Sequence, residues 1–544
     1  MSDFPTLSSP EPPIAIFGKP APVKMGEWDK TPPSSQFYQD ALHRLNHLQT
    51  NFESKQQITA LKDRSVLLER MMSWCNEIGY QPADFDTLNA IHIAGSKGKG
   101  STAAFVFSIL AEFLTDEGSS ADETPATLRK IGLYTSPHLR SVRERIRIQA
   151  PQSRSFEETP LDETKFSHYV SEIWTRLGMD NRSPSQSPPF AKFLTLVGFH
   201  AFIQEGVDTA VVETCIGGRF DSTNVLRQPS VCAITSLGLE HTDILGSTIE
   251  EIAWAKGGIM KPGVPVFTVP QEPKALATLQ ELATKENVDL RVVTAHPDLE
   301  HIDLGLAGDF QRINASLAVA VAAEYLSRRG YKNMPDIETL GLSPLPDKFR
   351  RGLERAQWPG RCETRDHLGS RWLLDGAHTM ESIELLSAWA AKRMVEPNAR
   401  RVLIFNQQTK DATALLRHLR QTTTSAMAQW LNPDEAVFHQ VIFCTNLPWE
   451  RYDVPDAERV SMTYSGRSVE DLEVQHTLAA QWTQISGGHS AATVVRTVEE
   501  AIRCAADSGA ASFCRDREHI NAVVLITGSL HLVGSALEVL DTIT

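Results

Sequence analysis

The 544-residue sequence predicts an α/β protein with an N-terminal, P-loop-type, mostly parallel sheet domain and a smaller C-terminal α/β domain. Three observations carry that expectation. Short apolar runs rich in β-branched residues alternate with stretches of helical period, the pattern of a parallel sheet buried on both faces. The run at 91–94 breaks into Gly95-Ser96-Lys97-Gly98-Lys99-Gly100-Ser101 before a helical period resumes. A charged segment at 342–360, containing Pro344, Pro346 and Pro359, then separates one alternating series from a second.

Residues 1–36 are rich in Pro and Ser, lack a sustained period, and are expected to be disordered. Helical patterns at 38–48 and 66–78 precede the first strand at 91–94 and the helix that follows its glycine loop. The acidic, small-residue stretch 116–127 reads as a surface insertion. Strands follow at 130–135 and 144–148, helices at 163–177 and 193–202, and strands at 207–213 and 231–236. A helix at 248–257 bears Lys256, and a long helix at 308–330 carries Gln311, Arg312 and Asn314 in its first turns. The second series has strands at 372–374, 402–406, 437–444 and 522–527, with helices at 379–394, 411–421, 497–506 and 530–540. The expected divisions are therefore 1–36, a domain over 37–345, a linker over 346–360 and a domain over 361–544.

Composition is that of an ordinary globular protein, 41% hydrophobic and 22% charged. A net charge of -14 argues against a surface for nucleic acid, whose phosphates call for a basic face. The seven cysteines show no CxxC pair, so neither a disulfide framework nor a thiolate zinc site is expected. No apolar run approaches the ~18 residues of a membrane span. The N-terminal stretch resembles neither a signal nor a transit peptide, so the expected compartment is the cytoplasm, with a mitochondrial form left open.

A strand, a glycine-rich turn and a helix bring backbone N–H groups, the helix dipole and a lysine onto one anion. The expected ligand is a nucleotide's phosphate chain. The match to the common phosphate-loop pattern is incomplete: with Gly98-Lys99 as its GK pair, Ile93 stands where glycine is usual and Gly100 where a hydroxyl is usual. The hydroxyl comes one residue later, at Ser101. A glycine-rich turn that binds nothing is the plain alternative.

In parallel sheets ligands bind beyond the carboxyl ends of the strands, and Ser136, Glu213 and His241 join the loop there. Phosphoryl transfer needs a gripped phosphate chain, a Mg²⁺ with oxygen ligands and an acceptor in line. Lys99 supplies charge, Ser101 a hydroxyl, and Glu213 a carboxylate fit for Mg²⁺. Each has a structural alternative. Glu213 could be a cap or a salt-bridge partner, His241 an ordinary loop histidine and Lys256 a surface lysine. Across the linker, Arg361 could touch phosphate and Asp375 could hold ribose or base. Asp375 could equally cap the helix that begins near Thr379.

Seven segments together resemble the folylpolyglutamate synthase family, eukaryotic type, within the Mur-type ATP-dependent amide ligases. They are HIAGSKGKGS (92–101), YTSPHL (134–139), RERIRI (143–148), VVETCIGGRFDSTN (211–224), ITSLGLEHTDILGSTIEEIAWAKGGI (234–259), LLDGAHT (373–379) and ITGSLHLVGSALEVL (526–540). The resemblance implies a Rossmann-like second domain and an ATP-dependent ligase. Such an enzyme phosphorylates the terminal γ-carboxylate of a folate's glutamate, and the amine of an incoming L-glutamate attacks the acyl phosphate. By motif, Gly98, Lys99, Gly100 and Ser101 would hold ATP, and Ser136, Glu213 and His241 would ligate Mg²⁺. Arg361 and Asp375 would reach the nucleotide from the second domain. Lys99, Glu213, His241 and Lys256 would form the catalytic set, Lys256 matching a lysine that some relatives carry as a carbamate. A monovalent cation such as K⁺ is a further implied cofactor. The implied partners are a reduced folate, L-glutamate and ATP, acting on a monomer.

The chain departs from the family pattern at Cys215, Arg219 and Phe220, and over 425–520, where the match is poor. The sister activity, addition of the first glutamate to dihydropteroate, is the near alternative; IAWAKGGI favours the polyglutamylating branch. A nucleotide-binding protein without ligase activity is the distant one.

Overall fold

The computed structural model describes residues 34–49, 61, 63–115, 127–153, 155–335, 344–396, 398–408, 411–432, 435–450, 472–507 and 520–543. The expectations for 1–33 and for the insertion at 116–126 lie outside them. Among the described residues no helix is long and apolar enough to cross a membrane.

The first domain is built on β1 (Ile91–Ala94), β2 (Ile131–Tyr134), β3 (Ile146–Gln149), β4 (Thr209–Glu213), β5 (Val231–Ile234), β6 (Val266–Thr268) and β7 (Leu290–Val292). Their spatial order is β3-β2-β4-β1-β5-β6-β7. All pairs are parallel except β2 with β3. β1, β2, β4 and β5 are buried at every position, as central strands with helices on both faces must be.

The helix Lys99–Ala111 that follows the glycine loop is equally apolar. Phe105, Val106 and Ile109 are fully buried, in one core with Ala315, Val319 and Ala322 of the helix Gln311–Arg328.

The second sheet comprises β8 (Glu363–His367), β9 (Ser370–Leu374), β10 (Arg400–Phe405), β11 (Gln440–Phe443), β12 (Ala491–Val494) and β13 (Ala522–Thr527), in the order β12-β11-β10-β13-β9-β8. It is parallel except where β8 pairs with β9. The expected fold class is thus observed.

Three strands absent from the expected elements share a cause. β7, β8 and β12 lie at sheet edges and are partly exposed, so they carry sequences such as ETRDH with no apolar run to betray a strand. Within 346–360, read as a linker, the helix Asp347–Arg355 buries Phe349 and Leu353 in the first domain's core. Its Gly352 lies so close to the helix Lys99–Ala111 that an added Cβ would stand 2.6 Å from Ile109 Cα. The polar stretch 425–520, onto which no functional role was carried, contributes the expected strand as β11 and, beyond expectation, β12 and the helix Glu473–Ser486.

Candidate active site

The register of the first sheet gathers the expected residues at one end. Ile93 pairs with Glu213, Ala94 with Ile234, and Tyr134 with Val212, so the loops after β1, β2, β4 and β5 open side by side. The glycine loop is fastened to the loop after β5: the Ser96 and Lys97 N–H groups both donate to Ser236 O, at 2.9 and 3.0 Å. Gly98 caps the helix with φ 88°, and a Cβ there would lie 2.3 Å from Asn314 Oδ1. Only glycine combines that backbone with that approach. Ser101 is buried and its hydroxyl accepts from Gln311 Nε2 at 3.2 Å, while Gly100 faces the Trp358 indole.

The Lys99 ammonium is folded back on its own loop, donating to Gly95 O at 2.8 Å and standing 4.0 Å from Glu240 Oε1. Lys256 is no surface residue. It is 1% exposed and donates to Gly95 O at 2.6 Å and to Glu240 Oε1 at 2.7 Å. Burial, then repulsion from Lys99, pushes the Lys256 amine down to about 8. Burial would push Glu240 up, but Lys99 and Lys256 hold it below its ordinary value. Glu240, which the motif analysis passed over, is therefore the acid that both lysines share.

Glu213 ends β4 and is 4% exposed. Among the described residues it has no salt-bridge partner, and its carboxylate accepts one hydrogen bond, from the Ser136 N–H at 3.2 Å. Burial pushes its pKa up to about 7, against the pull of Lys99, the Ser136 N–H, Arg361 and Arg145. A buried carboxylate with so little compensation is costly unless a cation joins it. The donor set of Glu213 and the neighbouring Ser136 fits a Mg²⁺, which takes few protein oxygens and keeps its waters. His241, the third expected ligand, is exposed and in a left-handed backbone conformation (φ 47°), and its charge acts on Glu240. Among the described residues no three His, Cys, Asp or Glu side chains could together hold a metal ion.

The departures from the family pattern at Cys215, Arg219 and Phe220 lie in the loop after β4. Asp221 accepts from the N–H groups of Cys215, Ile216 and Thr223 at 3.0, 2.9 and 3.0 Å. That closes the loop and leaves Arg219 to stack outward, 4.2 Å from the Trp254 ring centroid. Burial pushes the Cys215 thiol up, and a hydrogen bond with the Ser136 side chain opposes this. Arg145, also buried, donates to His138 Nδ1 at 3.0 Å.

The second domain closes over the same end. Its Arg361 is felt by Glu213, Lys97 and Asp375. Asp375 is buried, with Oδ2 accepting from Cys362 N at 2.8 Å and Oδ1 from Ala377 N at 2.9 Å. It does not cap the helix Met380–Ala391, because Thr379 does so. In this structure Asp375 ties the backbone beside Arg361 to the loop after β9. A cleft of about 650 Å³ opens next to Arg361, with Gly305 and Trp358 on one wall and Glu363, Arg365 and Arg393 on the other.

Comparison with known proteins adds the following. The family described as dihydrofolate synthetase, C-terminal domain, matches residues 361–539. A folylpolyglutamate synthase of Saccharomyces cerevisiae (strain FostersO) is 40% identical over 520 residues, covering 93% of this chain and 87% of that protein. The structure of Mycobacterium tuberculosis folylpolyglutamate synthase complexed with ADP matches with a TM-score of 0.67 at 21% identity, over 93% of this chain and 99% of that one. E. coli FolC in complex with DHPP and ADP matches with a TM-score of 0.61 at 23% identity, over 94% and 99%. At these identities the solved structures speak for the fold.

Proposed function

The chain belongs to the folylpolyglutamate synthase family, and from that premise we propose how its site performs ATP-dependent joining of L-glutamate to a folate. The phosphate chain of ATP lies against the loop Gly98–Ser101, with Lys99 leaving its backbone carbonyls to pair with phosphate. Arg361 meets the same phosphates from the second domain. Glu213, with Ser136 beside it, would hold a Mg²⁺, which would supply positive charge to the phosphate chain.

The γ-carboxylate of the folate's terminal glutamate attacks the γ-phosphorus, and ADP leaves with the electrons of the broken P–O bond. The amine of L-glutamate then attacks the acyl carbon of the mixed anhydride, losing a proton as inorganic phosphate departs and the amide forms. Closure of the second domain keeps water from that anhydride. No side-chain nucleophile takes part. Lys256 and Glu240 brace Gly95 at the loop's first turn, and Asp375 steadies Arg361 through Cys362.

The observation that carries the reading is Glu213: a buried carboxylate that forms no salt bridge among the described residues, lying in the fields of Lys99 from one domain and Arg361 from the other. Both halves of the site come from one chain, which supports a monomer as the working unit. The free cysteines among the described residues support a reducing compartment such as the cytoplasm.

The testing experiment supplies purified protein with Mg²⁺, ATP and L-glutamate, offers tetrahydrofolate or dihydropteroate, and identifies products by mass. Glutamate addition to tetrahydrofolate is expected. Addition to dihydropteroate alone would assign the sister activity.

A further inference from the structure

One polar contact across the domain interface has no part in the mechanism above. Lys97 lies inside the glycine loop, its N–H bound to Ser236 O at 3.0 Å, so its backbone is held by the first sheet. Its side chain leaves that domain: Nζ donates to Thr379 Oγ1 at 2.9 Å. Thr379 is the cap of the helix Met380–Ala391, accepting from Ser382 N at 3.3 Å. It sits four residues beyond Asp375, whose carboxylate holds Cys362 next to Arg361.

Among the described residues Lys97 has no carboxylate within salt-bridge distance. Glu240 and Glu381 act on it at longer range, and Lys99 and Arg361 oppose them. An ammonium has three N–H donors. Here one is used, on the second domain, beside a loop built for anions and next to the lysine assigned to the phosphates. A partly buried cation among cations is unfavourable until an anion joins it.

We propose that Lys97 is a latch between nucleotide and domain closure, its ammonium shared by Thr379 and the terminal phosphate of the bound nucleotide. The bond to Thr379 holds the loop 375–379, and through it Arg361, over the phosphate that Lys97 and Lys99 grip. This rests on the nucleotide reading given above but not on the identity of the acceptor.

The test is calorimetric binding of Mg²⁺·AMPPCP to the full chain, together with kcat and KM for ATP. The variants are Lys97→Met, Lys97→Arg, Thr379→Val, Thr379→Ser and the Lys97→Met/Thr379→Val pair. A hydrogen bond to a charged group sets the expected scale, a loss of about tenfold to a hundredfold in affinity for Lys97→Met. Thr379→Val should lose roughly tenfold, and Thr379→Ser, which keeps cap and acceptor, should bind as wild type. Lys97→Arg should recover part of the loss. The double variant should be no worse than Lys97→Met alone, because both changes remove one shared interaction. AMPPCP affinity within about twofold of wild type in Lys97→Met would overturn the phosphate contact. Losses that multiply in the double variant would overturn the link to Thr379. Binding needs no folate, so a chain that binds AMPPCP as described yet extends no folate would refute the proposed function and leave the latch standing.

Discussion

Lys256 Nζ lies 2.7 Å from Glu240 Oε1, with the lysine 1% exposed and its second hydrogen bond given to Gly95 O at the first turn of the phosphate loop. Through Gly95 the pair ties the start of the loop to the helix Ile249–Gly257. Removing one partner of a buried pair leaves the other charge uncompensated. Lys256→Met should therefore cost about 3 kcal/mol of stability in urea unfolding, and adding Glu240→Gln should return part of it. A loss below about 1 kcal/mol would make the pair dispensable.

Glu213→Gln keeps the side chain's shape and removes its charge. Affinity for AMPPCP should then be nearly the same in Mg²⁺ and in EDTA, and kcat should fall by about a hundredfold or more. A Mg²⁺ dependence like that of wild type would take Glu213 out of the metal site.

Gly98→Ala would place a Cβ 2.3 Å from Asn314 Oδ1 at a backbone φ of 88°. Strain and clash together should cost about 2 kcal/mol or more and weaken nucleotide binding. Gly178→Ala is the control. It too has a positive φ, 60°, but nothing lies within 4 Å of the new Cβ, so its cost should stay near 1 kcal/mol. Thermal unfolding of the two variants measures the difference.

Asp375→Ala strips the acceptor from two buried N–H groups, those of Cys362 and Ala377. Each buried donor left unpaired costs about 1–3 kcal/mol, and the slack should raise KM for ATP through Arg361. Unfolding and steady-state kinetics on the same variant test both halves. A raised KM with unchanged stability would show that Asp375 meets the nucleotide directly.

His92, in β1 just before the loop, is wholly buried, with Nε2 2.8 Å from Thr223 Oγ1. Burial, with a smaller push from Lys261, lowers its pKa to about 3. The native state holds this ring neutral while the unfolded chain protonates it near the ordinary value of about 6.5. The stability associated with His92 is thus complete above pH ~6.5 and is lost progressively as pH falls toward about 3. His92→Asn should flatten the decline of urea midpoint with pH across that window relative to wild type. An identical decline would show that other groups carry it.

The glycine loop, the strand-end carboxylate Glu213 and the two-domain division were legible because each is local: a few consecutive residues state the backbone conformation, the burial and the charge. The edge strands β7, β8 and β12 were not, since an edge has one neighbour and one wet face and need not be apolar. Glu240 was quoted within a motif yet given no role, because nothing near it in the chain announces that Lys99 and Lys256 meet there. Lys256 looked like any helix lysine until the packing of Ile249–Gly257 turned it inward. His241, marked by its motif, is exposed in the folded chain, and its burial was no more legible in the sequence than that of Lys256.

By itself the sequence determined the fold class, the glycine-rich strand-to-helix turn and the family, all of which reside in periodicity and in short consecutive motifs. Only the tertiary structure decided which charges face one another. Lys97 meets Thr379 across 282 positions of chain, and Arg361 comes into the field of Glu213. Such pairings depend on how two separately folded sheets pack, and an electrostatic interaction falls off with distance through space rather than along the chain.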